Sequence, residues 1–362
     1  MKQHLTSDFP PAPGAQNVQA KQQAAHQAQV VPRERDALRA AQLYYLQHLT
    51  MESIARELGV SRSTVSRLLG LARRTGLVNI EINATGDRTP VLVRELERIY
   101  GLQVFVVPTD GSLSDSEILE RVSSHAAHVL STLISSGMTV GVAWGSTVQA
   151  MSNALSRKPT HDTVIVQLNG AANPQTTGLT YASDILQRFG AAFTARVEQF
   201  PVPAFFDRAS TREAMWREGS VQRVLKIQRN MTLAVFSLGA TAAAVPSQVY
   251  RGGYLTLEED RALRERGVVG DVATMFFDAH GSDEGIEINE RATGPSLQTL
   301  REVPRRLCVV SGRGKLTALR GALAGGLVTD LVLDEGTALE LLNSPGVPIG
   351  LPNGAPNGMP NN

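Results

Sequence analysis

Cysteine is almost absent from this chain, lysine is scarce, and no apolar run approaches the ~18 residues that a membrane-spanning helix needs. The single Cys308 excludes a disulfide framework and a cysteine-based zinc site, and it fits a reducing cytoplasm. Net charge is also nearly missing: 35 Lys+Arg stand against 34 Asp+Glu, for a formal +1. The first thirty residues hold no apolar core of seven or more, so no secretory signal is expected. What is present is ordinary for a globular chain, 42% hydrophobic and 19% charged, which excludes disorder throughout. At ~150 residues per domain, 362 residues suggest about two domains.

Composition divides the chain. Residues 1–32 are rich in Gln, Ala and Pro without helical spacing and read as a disordered leader. Residues 33–83 are helical and Arg-rich, and residues 84–90 form a linker. Residues 91–343 alternate short apolar runs with amphipathic stretches. Residues 344–362 carry five Pro, four Gly and no charge, and read as a disordered tail. Apolar runs at 102–107, 138–143, 163–168, 231–238, 306–310 and 329–333 predict buried parallel strands, most of them followed by helical patterns. That alternation predicts a Rossmann-like open α/β sheet, with ligands beyond the carboxyl ends of its strands.

Residues 37–80 carry a helix-turn-helix pattern. Thr50 caps a first helix with Ile54, Ala55 and Leu58 on one face. Gly59 supplies the positive φ of a tight turn, Val60 plugs the corner, and Ser61 caps a second helix with Val65, Leu68, Leu69 and Ala72 inward. A support helix over 37–48 is expected to bury Leu38, Ala41 and Tyr45, and the alternation in 77–82 predicts a β wing. The segment 61–76 holds Arg62, Arg67, Arg73 and Arg74 and no acid. Arg62, Ser63, Thr64, Ser66 and Arg67 point away from the apolar face at the leading end of the helix, where side chains meet base edges. Arg73 and Arg74 suit phosphates, and Thr50 completes the expected contact set. Double-stranded operator DNA is the partner this pattern predicts.

The run from Ala41 to Leu46 and the run from Ile54 to Leu69 resemble the start of SorC-type sugar-binding transcriptional regulators. The resemblance continues through Val140–Thr147, Val166–Gly170, Val269–Val272, Asn289–Gly294, Val310–Lys315 and Asp334-Glu335, so it covers about residues 36–343. It implies a winged helix-turn-helix joined to an effector domain similar to phosphosugar isomerases and deaminases, a sugar or sugar-phosphate inducer, and a homo-oligomer, dimer or tetramer. By the same resemblance, Trp144–Thr147 is the family's phosphate- or hydroxyl-binding turn and Asp271 its acidic hydroxyl ligand. The turn suits an anion physically, because Gly145, Ser146 and Thr147 follow a strand and open a helix. Asn169 follows a strand and offers donors and an acceptor to sugar hydroxyls, and Arg291 reads as structural.

Lys315 is the more telling residue. Five Lys stand against thirty Arg, and a slim ammonium enters a tight pocket that a guanidinium would overfill. Its loop is not a Walker motif, because Val309 stands where the first glycine is needed and Leu316 where Ser/Thr is needed. The alternative partner for Lys315 is a structural carboxylate such as Asp334. Isomerase chemistry needs a positioned base and commonly a second acid. Asp271, and less clearly Asp334 and Glu335, are the acids present, while His161 and His280 read as exposed loop residues. A ligand-controlled regulator without catalytic residues, cofactor or metal is the expectation, against an active isomerase or a ligand-free DNA-binding scaffold.

Overall fold

The computed structural model describes residues 35–78, 89–109, 111–240 and 247–343. The leader, the tail, most of the wing and most of the linker lie outside the described residues. The chain divides into two compact units, 1–83 and 84–362.

In the first unit, α1 covers residues 35–41 and continues as a π turn over Gln42–Leu46. α2 (Met51–Leu58) and α3 (Arg62–Arg74) follow, joined through Gly59 at φ 65°. The expected caps form: Thr50 Oγ1 accepts from Ser53 N at 3.2 Å, and Ser61 Oγ accepts from Thr64 N at 3.2 Å. Ala37, Ala40, Ala41, Leu43, Ile54, Val65, Leu69 and Ala72 make the small core. Leu38, expected inside, is 40% exposed, and Tyr45 is only half-buried. The buried stripe of α1 runs one residue out of step with that expectation, and the π turn then brings Leu43 inward where regular α-helical spacing would not.

The second unit is a three-layer α/β fold. Its elements are α4 (Thr89–Tyr100), β1 (Gln103–Val107), α5 (Asp115–Leu133), β2 (Thr139–Val142), α6 (Ser146–Asn153), β3 (Val164–Gln167), α7 (Leu179–Phe193), β4 (Arg196–Glu198), α8 (Ala209–Met215) and α9 (Gly219–Arg229). There follow β5 (Leu233–Phe236), β6 (Leu238–Gly239), α10 (Gln248–Arg251), α11 (Leu257–Glu265), β7 (Val268–Val272), β8 (Met275–Asp278), α12 (Leu297–Arg301), β9 (Arg305–Val310), α13 (Leu316–Ala324), β10 (Asp330–Asp334) and α14 (Glu335–Asn343). Seven parallel strands pair in the order β1-β10-β9-β5-β2-β3-β4. Successive residues of β5 and β9 enter opposite cores: Leu233, Val235, Leu307 and Val309 face one, and Ala234, Phe236, Cys308 and Val310 the other. Burial on both faces is why these strands are continuous apolar runs rather than alternating ones.

A second, antiparallel sheet, β6-β7-β8, was not foreseen. The run 231–238 is interrupted at Ser237, where the chain leaves one sheet and enters the other. The β7–β8 hairpin turns through Ala273 and Thr274, both at positive φ (47° and 68°). From β2 the chain runs outward to β3 and β4, then returns to the other side of β2 as β5 and continues to β9 and β10. The strand order therefore reverses between β2 and β5, and a crevice opens at their carboxyl ends.

Candidate functional site

Two sites emerge, one in each unit. On α3, Arg62, Ser63, Ser66, Arg67 and Arg73 are exposed and Thr64 is half-buried. Arg67 is held against its own helix, with Nε donating to Ser63 O at 3.3 Å and Nη2 to Thr64 Oγ1 at 3.2 Å. Arg62 pairs with Glu52 of α2 at 3.0 Å. Both members of that pair are more than half exposed, so the pair is weak and readily exchanged for a phosphate or a base. Thr50 spends its hydroxyl on the α2 cap, which leaves its exposed position beside the leading end of α2. Caps at both helix starts and the Gly59 turn hold this polar face fixed on the apolar core behind it.

The second site lies at the switch point of the large sheet. Gly145, Ser146 and Thr147 follow β2 and open α6, Asn169 follows β3, Ser237 follows β5, and Lys315 follows β9. With Asp271 of β7 these side chains line one cavity of about 30 Å³, room for about two water molecules. All six residues expected at the effector site, Gly145, Ser146, Thr147, Asn169, Asp271 and Lys315, line it. Gly145 takes a backbone conformation (φ 151°) that favours glycine and gives α6 no side-chain cap, which leaves that helix start to other acceptors.

Lys315 is buried, and its Nζ donates to Thr147 Oγ1 at 3.1 Å and Ser237 Oγ at 2.8 Å. Among the described residues no carboxylate forms an ion pair with it. Asp334 is engaged elsewhere: it accepts from Gly312 N, Thr337 N and Thr337 Oγ1, each at 2.8 Å. The pairing of Lys315 with Asp334 is thus replaced by two hydroxyls. Burial pushes the Lys315 ammonium down to about 8, against the opposing pull of Cys308 and Asp271. Burial pushes the Asp271 carboxyl up to about 7, against the Thr274 backbone N–H and Lys315, which favour the charged form. Asp271 is a strand residue rather than a loop carboxylate, and its Oδ1 has no hydrogen-bond partner. Asn169 Oδ1 is also buried without a partner. Two orphaned acceptors on residues lining one cavity call for an outside donor, because such groups are costly to leave unsatisfied.

The wall around them is braced by ring stacking and hydrogen bonds. Trp144 stacks on Tyr254 with centroids 5.1 Å apart, and its Nε1 donates to Gly170 O at 2.8 Å. Gln167 and Gln228 donate to backbone carbonyls at Asn169, Gln167 and Leu168, which fixes the turn that carries Asn169. Sequence reasoning passed over Ser237, Gly239, Ser247 and Thr274. Ser237-Leu-Gly239 had a readable signal, since a small polar residue and a glycine at the end of an apolar run repeat the pattern of Gly145-Ser146. Thr274 gave none, because its place depends on a hairpin that the sequence did not reveal. Arg291 pairs with Glu259 and donates to Phe206 O, consistent with a structural role. His161 and His280 are exposed.

Comparison with known proteins agrees with both units. The family described as "Putative sugar-binding domain" matches residues 91–343, and "Sigma-70, region 4" matches residues 28–75. The chain is 31% identical to the deoxyribonucleoside regulator of Bacillus subtilis over 85% of this chain and 97% of that protein. Its fold matches the crystal structure of a domain of a possible sugar-binding transcriptional regulator from Arthrobacter aurescens TC1, at 53% identity and TM-score 0.68, over 72% of this chain and all of that one. It also matches the full-length sorbitol operon regulator SorC from Klebsiella pneumoniae, at 25% identity and TM-score 0.64, over 85% of this chain and 99% of that one. A helix-turn-helix joined to a sugar-binding α/β domain defines a transcriptional regulator whose DNA binding is controlled by an effector. The chain belongs to the SorC/DeoR family of sugar-binding transcriptional regulators.

Proposed function

We propose that Thr50, Arg62, Ser63, Thr64, Ser66, Arg67 and Arg73 contact operator DNA, and that a phosphorylated sugar or polyol binds the cavity at the switch point. The observation that carries the effector reading is Lys315, a buried cation with hydroxyl partners and no ion-paired carboxylate. An unpaired buried charge is costly, and an anion at the start of α6 relieves that cost. Asn169 and Asp271, each with an unpartnered oxygen, suit the hydroxyls of the ligand. A sugar phosphate needs more room than the cavity offers, so its binding displaces the walls. That is the differential contact by which a ligand favours one arrangement of a protein over another. The protein acts as a dimer or tetramer in the cytoplasm, because one helix-turn-helix covers only a half-site. It needs no catalytic activity, cofactor or metal for this role.

A thermal-shift screen of wild type and Lys315→Ala against polyols, sugars and their phosphates tests the reading. A ligand stabilises by RT ln(1 + [L]/Kd), so a phosphate that shifts the wild type and not the variant is the expected result. Equal shifts from a polyol and its phosphate would leave a neutral-sugar sensor. Turnover of any of these compounds would favour an isomerase.

A further inference from the structure

Asp271 and Lys315 are the only charged side chains among the described residues lining the cavity, yet no ion pair joins them. Lys315 is held by Thr147 and Ser237, while one carboxylate oxygen of Asp271 has no partner. The other titratable groups near the two are Tyr250 of α10, facing Asp271, and Cys308 of β9, near Lys315. Burial holds the Tyr250 phenol well above its usual value and the Cys308 thiol up to about 12, so both stay neutral and supply no compensating charge. Asp260 and Arg264 of α11 act on Tyr250 rather than on the cavity. A phosphate dianion held by Lys315 would therefore share a small cavity with the buried Asp271 carboxylate, two anionic groups against one cation. Like charges so placed do not both stay ionised. The group able to yield is Asp271, whose unpartnered oxygen, once protonated, becomes a donor in the cavity wall beside Gly239.

We propose that the site binds its anionic effector together with a proton from solvent, Asp271 being neutral in the complex and donating a hydrogen bond to the ligand. This rests on the phosphate reading of the cavity and assigns that reading a pH dependence. Asp271 at about 7 and Lys315 at about 8 lie where a nearby anion, by raising both, draws in protons near neutral pH. Affinity then falls as pH rises, by about tenfold per pH unit for each proton once the pH exceeds the value in the free protein. The ligand itself contributes little above pH 7, since a phosphate monoester loses its second proton near pH 6.

The test is isothermal titration calorimetry on the full chain. The probes are ribose 5-phosphate, fructose 6-phosphate and sorbitol 6-phosphate, each beside its unphosphorylated counterpart, in phosphate-free buffers of different ionisation enthalpy. At pH 7.5 the tightest phosphate is expected to take up roughly one proton, and to bind at least about tenfold more weakly at pH 9 than at pH 7. Asp271→Asn, neutral at every pH, is expected to lose most of the uptake and to flatten the pH profile. Tight phosphate binding with no proton uptake and a flat profile overturns this proposal and leaves the phosphate reading standing. Absence of phosphate binding, or equal binding of the unphosphorylated sugar, overturns the phosphate reading and this proposal with it. Should Asp271→Asn not fold, the wild-type proton count decides alone.

Discussion

Lys315 shows how much one residue determines. A lysine in an ion pair would make its loss destabilising, whereas a lysine held by two hydroxyls in a buried site is a cost that the unliganded protein carries. Lys315→Met, which keeps most of the volume, is expected to melt no lower than wild type, to bind operator DNA as before and to lose the response to phosphate. Asp271 gives the companion prediction with its sign. Its folded value, about 7, lies above the ordinary 3.8, so between these values the folded state holds more protons than the unfolded one. Stability therefore falls as pH rises from about 4 to 7, and the cost is fully present above 7. Asp271→Asn should stabilise the ligand-free protein by roughly 1–4 kcal/mol at pH 8 and by almost nothing near pH 4, read as the difference in Tm between the two. On the DNA side, Arg67→Ala should cost roughly 1–3 kcal/mol on the operator and relax sequence preference, whereas Arg73→Ala should weaken all DNA about equally. Binding to a panel of operator variants separates the two.

At the scale of elements, the exposed face of α3 depends on its cap. Ser61→Ala removes the acceptor for Thr64 N and should lower the stability of the first unit by roughly 0.5–2 kcal/mol. Effector binding should be untouched, so hydrogen exchange rising in α3 with an unchanged ligand titration is the expected pattern. Elements of this kind were legible because local chemistry dictates them: caps at Thr50 and Ser61, a turn at Gly59, and strands buried on both faces that read as unbroken apolar runs. The elements that escaped are those set by distant partners. β4 is only three residues long. β7 contains Gly270 and Asp271, which depress strand propensity, and it exists because β6, β8 and α13 pack around it. The π turn at Gln42–Leu46 left no mark in the helical spacing, so Leu43 was not assigned to the core, and Leu38 was assigned to it because the buried stripe of α1 runs one residue out of step.

For the whole molecule, the site was legible only through the fold. Gly145-Ser146-Thr147, Asn169 and Lys315 stand at the ends of three different predicted strands, and the doubly wound topology gathers such ends wherever the strand order reverses. Ser247 and Thr274 reach the same cavity from outside the large sheet, which is why no pattern in the chain pointed to them. The division at Asn83 and Ala84 predicts that residues 84–362 fold alone, keep the oligomeric state and bind the effector, but not the operator. Light scattering and a DNA titration of that fragment check it, and a fragment that unfolds or still binds the operator would contradict it. On the function proposed above, what joins the two units is a phosphate-bearing effector that changes operator affinity. Fluorescence anisotropy of labelled operator with the full chain, titrated with a polyol and separately with its phosphate, measures that coupling. The phosphate should change operator affinity at concentrations where the polyol does nothing; a polyol that acts as well as its phosphate, or an operator affinity that neither changes, would contradict it.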